Sequence, residues 1–253
     1  MSTFVLVPGA WHGGWWFQPL ARRLREHGHE AYAVTLTGLG ERGHLLTGSV
    51  NLDTHIEDVV ALLRAEEIED AVLVGHSYAG MVISGVAGRA PGRVAALMYV
   101  DAFVPSDGDS CWSLGNEVQR RLYIEGAAAD GWSVAPPPFF DPRTTRHPLA
   151  SFLQPVRLTA ASGAAPAAVP DPAPRRDYVL LTKNPQNPFI SFYERVRAEP
   201  GWHTHTLPTG HDVMAEAPGA LLELVLDAAA RPDGGEPGRG RSGLDRPGRE
   251  PFQ

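Results

Sequence analysis

Cysteine is almost absent: Cys111 is the only thiol among 253 residues. No disulfide can form within the chain, which accords with a reducing compartment and leads to the expectation of a cytoplasmic protein. The sequence also lacks an uninterrupted apolar span of membrane length, and its amino terminus lacks a basic stretch followed by an apolar run and a small-residue cleavage site. A soluble, untargeted protein with no membrane partner is expected. Positive charge is scarce as well: 22 Lys and Arg stand against 29 Asp and Glu, a net charge of -7. That balance excludes a general nucleic-acid surface. His and Cys do not cluster at metal-ligand spacing, so neither a metal nor a cofactor is expected.

What the chain does hold is concentrated between Asp70 and Ile83. The apolar run Ala71-Val72-Leu73-Val74 breaks at Gly75, then comes His76-Ser77-Tyr78-Ala79-Gly80, and small residues open a helix. A G-x-S-x-G elbow bends sharply between strand and helix, so that the serine hydroxyl stands above the carboxyl edge of a sheet. Gly75 and Ser77 match; Ala79 stands at the second glycine position, with Gly80 one later. A strand, a turn and a helix-capping serine would give the same local pattern. Context separates the two readings.

Upstream, the short strand Phe4-Val5-Leu6-Val7 runs into an uncharged, glycine-bearing loop, Pro8-Gly9-Ala10-Trp11-His12-Gly13-Gly14-Trp15-Trp16. Acyl transfer needs two N–H groups aimed at a developing oxyanion, and such a loop supplies one while the elbow supplies the other. Ala10 and Tyr78 are the candidate donors. Far downstream, His211 lies on a loop between a strand-like stretch, Trp202 to Thr206, and a helical one from Pro218. A serine hydroxyl needs a neighbouring base, and imidazole titrates close enough to neutrality to take the proton and return it. Of the 10 histidines, His211 alone combines that loop with the chain order the elbow implies. His55, on a predicted amphipathic helix from Leu52 to Leu63, reads as a surface or packing residue.

These runs, together with Thr35-Leu36-Thr37-Gly38-Leu39-Gly40-Glu41-Arg42, Asp101-Ala102-Phe103-Val104-Pro105 and Gly210-His211-Asp212, resemble the small α/β-hydrolase fold serine esterases that include plant methylesterases and hydroxynitrile lyases. The resemblance covers roughly residues 3 to 230. It implies a serine carboxylesterase that cleaves a small-molecule ester or lactone through an acyl-enzyme. The usual position of the triad acid appears here as Asn184, which could orient an imidazole but could not stabilise its cation. Asp101, at the end of the next strand after the serine's, is the first choice for the acid. Asn184 is kept as the alternative orienter, and Asp212 is set aside because adjacent side chains diverge.

Strand-like and helix-like segments alternate, which implies a mostly parallel sheet of about six strands with helices on both faces. Residues 1–101 and 177–231 form the expected core. Residues 102–176, where the alternation lapses and aromatics gather, form an expected helical cap. Its aromatics include Tyr123 and Phe152, and substrate-binding candidates are Trp11, His12, Trp112, Trp132, Phe139 and Phe140. The Ala- and Pro-rich stretch from 160 to 174 reads as a mobile connector and 232–253 as a disordered tail. Three alternatives remain: a hydroxynitrile lyase, a cofactor-free cyclase or tailoring enzyme, and a non-hydrolytic receptor on the same fold. The lyase reading is weakened because the related plant enzymes need a threonine and a lysine where this chain has Gly9 and Asp212.

Overall fold

A computed structural model of the chain describes residues 1–158, 173–183 and 187–229. The strands are β1 (Thr3–Val7), β2 (Glu30–Ala33), β3 (Ala71–His76), β4 (Val94–Val100), β5 (Ser133–Val134), β6 (His147–Pro148), β7 (Arg175–Leu181) and β8 (Trp202–Leu207). The α-helices are α1 (Gln18–Glu26), α2 (Leu52–Ala65), α3 (Ala79–Arg89), α4 (Cys111–Leu114), α5 (Glu117–Ala127), α6 (Leu149–Leu153), α7 (Ile190–Arg197), α8 (Val213–Glu216) and α9 (Pro218–Ala229). Six strands form one sheet in the order β2-β1-β3-β4-β7-β8, and every neighbouring pair is parallel. The expected α/β sheet of six strands is what the chain forms.

Alternation along the strands sends residues to two cores. Phe4 and Leu6 of β1 join Leu20 and Leu24 of α1 and Leu221, Leu222 and Val225 of α9 on one face. Val5 and Val7 join Ile56, Val59, Val60 and Leu63 of α2 and Met81 and Val82 of α3 on the other. Because both faces are covered, β3 is buried along its whole length, which is why it reads in sequence as a continuous apolar run. Helix α2 starts at Asn51, whose side chain accepts from the Thr54 N–H in a capping box. Its buried residues recur every three or four positions.

Two boundaries differ from expectation for a stated reason. The run Ala31-Tyr32-Ala33-Val34-Thr35-Leu36 reads in sequence as one strand, but β2 ends at Ala33, because the chain then leaves the sheet edge and the Thr35 hydroxyl accepts from the Gly14 N–H at 2.7 Å. The segment between β4 and β7 is not purely helical: β5 and β6 pair as a short antiparallel ladder, Ser133 with Pro148 and Val134 with His147. The expected connector and tail lie mostly outside the described residues. Among the described residues no helix is long and apolar enough to cross a membrane.

The elbow explains its own small residues. A Cβ on Gly80 would sit 2.0 Å from the carbonyl oxygen of Phe103, so helix α3 rests directly on the backbone that follows β4. Backbone cannot swing aside as a side-chain tip can. Gly80→Ala is therefore expected to lower the free energy of unfolding by about 2–3 kcal/mol, within the range for overpacked sites. Urea denaturation measures it, and a loss below about 0.5 kcal/mol would show that the helix is free to shift.

Candidate active site

Ser77 occupies a left-handed conformation, φ +56°, between the buried strand β3 and helix α3. A non-glycine residue holds that shape only when its surroundings over-determine it. Here the Ser77 N–H donates to the Val100 carbonyl (3.1 Å), while its own carbonyl accepts from Gly80 N–H and Phe103 N–H (both 3.2 Å). Strand β4 and the turn after it thus pin the elbow from the side.

Asp101 follows β4 and is 1% exposed. It too has positive φ, +44°, and its N–H donates to Val179 at 2.7 Å. Its carboxylate collects three donors. His211 Nδ1–H donates to Oδ2 at 2.7 Å, Asn187 Nδ2–H to Oδ1 at 2.6 Å, and the Leu181 N–H to Oδ1 at 3.3 Å. A carboxylate facing Nδ1 selects the tautomer with the proton there, which leaves Nε2 of His211 as a free acceptor. The ring lies parallel to Phe189, with centroids 5.5 Å apart and planes 13° from each other.

The sequence-based alternative, Asn184, lies outside the described residues. The asparagine that does touch the acid is Asn187, three positions on, which the sequence reading missed. Nothing local marks it, since its role depends on the chain folding back over the end of β7. Asp212 turns away: its carboxylate accepts from the Ala215 N–H at the start of α8 and from the Trp16 indole N–H, both at 3.2 Å.

His76, between Gly75 and Ser77, is buried and stacks on Trp16 with centroids 4.5 Å apart. Its Nε2–H donates to the His211 carbonyl at 3.0 Å, so one imidazole steadies the backbone of the other. Burial, together with the neighbouring His211 and His12, pushes its pKa well below the usual range. A Cβ on Gly9 would come within 2.8 Å of His76 Nδ1, so only glycine lets the loop after β1 pass this ring.

On that loop, neither the Ala10 N–H nor, across from it, the Tyr78 N–H has a hydrogen-bond acceptor among the described residues. Both residues border a cavity of about 480 Å³ that also includes Ser77, Asp101 and His211. Trp11, His12, Phe139 and Phe140 line it, as expected, and so do Tyr123, Phe152 and Phe189. Trp112 and Trp132 do not, which corrects the expectation for both. Cys111 takes the inward position on α4, and the next residue on a helix points roughly 100° away, so Trp112 packs elsewhere beside the Arg120 guanidinium. Trp132 sits before β5, 39% exposed, near Gly48. Helix α5 turns Gln119, Leu122 and Tyr123 inward at helical spacing. Among the described residues no three His, Cys, Asp or Glu side chains are grouped as metal ligands.

A model of the alpha/beta hydrolase family matches residues 4–224. The chain belongs to that family. This hydrolase is 38% identical over 246 residues to the carbendazim hydrolyzing esterase of Nocardioides sp. (strain SG-4G), covering 89% of this chain and 98% of that protein. It is 33% identical over 131 residues to methylesterase 10 of Arabidopsis thaliana, covering 51% and 47% of the two chains. An α-hydroxynitrile lyase of the same plant is 31% identical over 103 residues, 40% of each chain. The protein is thus an alpha/beta hydrolase of the esterase group. Among solved structures, an extracellular α/β-hydrolase from a Paenibacillus species superposes with a TM-score of 0.73 at 20% identity, covering 90% of this chain and 99% of that one.

His55 proves to be more than a packing residue. It is fully buried on α2; its Nε2–H donates to the Thr37 carbonyl (2.9 Å) and its Nδ1 accepts from the Tyr78 hydroxyl (2.8 Å). Burial lowers its pKa to about 4. Unfolding returns it to about 6.5, so the unfolded chain binds more protons between these values and stability falls as pH drops from 6.5 towards 4. That loss is of the order of 3 kcal/mol for this one group. His55→Leu is expected to flatten the pH dependence of unfolding in that window by this amount, read by urea melts at pH 7 and pH 4.5.

Proposed function

We propose that this alpha/beta hydrolase is a serine carboxylesterase for a small-molecule ester or lactone. The observation that carries the reading is the 2.7 Å contact of His211 Nδ1 with Asp101 Oδ2, made at the edge of the cavity that Ser77 borders. Ser77 Oγ attacks the substrate carbonyl while His211 Nε2 takes its proton. The bond to the alcohol then breaks, and the imidazolium protonates the departing oxygen. Asp101 holds the ring and stabilises its charge. The Ala10 and Tyr78 N–H groups receive the oxyanion. Water, deprotonated by His211, then cleaves the acyl-serine and releases the acid.

The segment after β4 acts as a cap whose aromatic side chains wall the acyl or alcohol group and exclude water. Among the described residues no Lys or Arg lines the cavity, which suits an uncharged aromatic ester better than an anionic one. Carbendazim, named for the Nocardioides relative, is the first compound to try. The single thiol, Cys111, is buried and unpaired, which accords with a cytoplasmic enzyme.

A serine-directed fluorophosphonate is expected to label Ser77, and Ser77→Ala to abolish turnover of small aryl esters. Hydrolysis that survives Ser77→Ala would defeat the assignment. Asp101→Asn removes the charge and is expected to lower kcat by about 10³–10⁴. Asn187→Leu strips one donor and leaves the charge, so about tenfold is expected; Asn184→Ala should cost far less than Asp101→Asn. Steady-state kinetics at pH 7.5 distinguishes these, and an inactive Asn184→Ala beside a near-normal Asp101→Asn would reassign the orienter. With Gly9 and Asp212 at the two positions that the lyases use, cyanide release from mandelonitrile is expected to stay at background.

A further inference from the structure

We propose that His147, carried by the segment between β4 and β7, is a positioning residue for the oxyanion hole. The proposal rests on the serine-esterase reading and adds a working part to it. Trp11, directly after the donor Ala10, has a left-handed backbone with φ +67°, a shape that an aromatic residue keeps only under external restraint. A turn closed by the His12 N–H on the Gly9 carbonyl (3.3 Å) sets that shape locally, and the inserted segment adds three hydrogen bonds to it. The Trp11 N–H donates to His147 Nδ1 (3.2 Å), its carbonyl accepts from the Thr145 N–H (3.0 Å), and its indole N–H donates to the Val134 carbonyl (3.0 Å).

His147 is itself held on every side. It is fully buried, its Nε2–H donates to Ser151 Oγ at 2.9 Å, and that hydroxyl donates to the Pro148 carbonyl at 2.8 Å. Its ring stacks on Phe152 with centroids 4.3 Å apart and meets the Tyr78 ring edge-on at 4.7 Å. One imidazole therefore touches the residue that follows Ala10 and the side chain of Tyr78. Burial keeps it neutral by pushing its pKa well below the usual range, so Nδ1 retains the lone pair that the Trp11 N–H needs.

Oxyanion donors act only if they are aimed where charge develops, and small displacements weaken them. Within the loop His12 holds Ala10 through the turn on Gly9 and through its side chain, and His147 anchors the next peptide to the inserted segment. The Ala10 N–H is left for the substrate, and the Ala10 carbonyl is taken by His12 Nδ1–H at 2.8 Å.

The test pairs two variants. His147→Phe keeps a ring on Phe152 but removes both hydrogen bonds. His147→Asn gives up the ring but returns an amide oxygen near the place of Nδ1. Turnover of a 4-nitrophenyl ester, inhibition by an aryl trifluoromethyl ketone, whose serine adduct bears the oxyanion, and binding of an unreactive aryl amide are measured on each. For His147→Phe, kcat and ketone affinity should both fall about 10- to 100-fold, less than the loss of a donor outright, while KM and amide binding change by no more than about threefold. His147→Asn should recover most of that loss. A folded His147→Phe with wild-type kcat overturns the proposal, as does an equal loss in both variants accompanied by weaker amide binding, which is the mark of packing alone. Should His147→Phe not fold, Ser151→Ala, which frees the ring to turn, takes its place: a kcat loss of about threefold or more at unchanged KM supports the proposal and an unchanged kcat overturns it. Activity retained in Ser77→Ala would instead defeat the serine-esterase reading itself, whatever His147 does.

Discussion

A carboxylate buried without partners is among the most expensive groups a protein can hold, and the site is organised around avoiding that cost at Asp101. Its donors lie 80 to 110 residues further along the chain: the Leu181 N–H at the end of β7, Asn187 six residues on, and His211 on the loop after β8. Satisfying one side chain therefore brings three chain segments to one corner of the sheet. The stretch after β4 that carries Asp101 also supplies the Phe103 N–H that the Ser77 carbonyl accepts. Left-handed backbone at Ser77 and at Asp101 is held by hydrogen bonds from neighbouring segments, as such conformations require.

Around this corner the histidines divide by environment. His55, His76 and His147 are buried, and in each burial is the main cause that depresses the pKa. Each donates one N–H to a fixed oxygen, and two of them use the other nitrogen as an acceptor, for the Tyr78 hydroxyl and the Trp11 N–H. Of these four imidazoles only His211 has a carboxylate partner, and its side chain is 38% exposed. Three rings are thus held among neutral partners by burial, and one stands beside a carboxylate at the cavity.

The relatives are mostly named as esterases, with a hydroxynitrile lyase among them. Identity of 38% along nearly the whole of the Nocardioides esterase gives way to matches over about half the chain for a plant methylesterase, and to fold alone for the solved structures. In this chain the inserted segment borders the cavity. It walls the cavity mainly with aromatic and aliphatic side chains, whose shapes can change without disturbing the sheet. Its contacts with Trp11 are of another kind, because they reach back into the loop beside the elbow.

How much of this could be read without coordinates follows the range of the interactions. The six-stranded sheet and the strand-turn-helix elbow around Ser77 were legible, because they depend on periodicity over a few residues and on glycines forced by close backbone approach. The role of Asp101 was half legible: its place after a buried strand was clear, but so was a rival at Asn184, since both follow parallel strands that end at the same edge. Asn187, the buried partners of His55 and His147, and the outward placement of Trp112 and Trp132 were not legible. A hydrogen bond between residues 11 and 147 leaves no mark on either neighbourhood, because its energy exists only once the chain between them has been folded over the sheet. Local sequence thus determined the chemistry that this protein is equipped for, and the tertiary structure decided which side chains aim it.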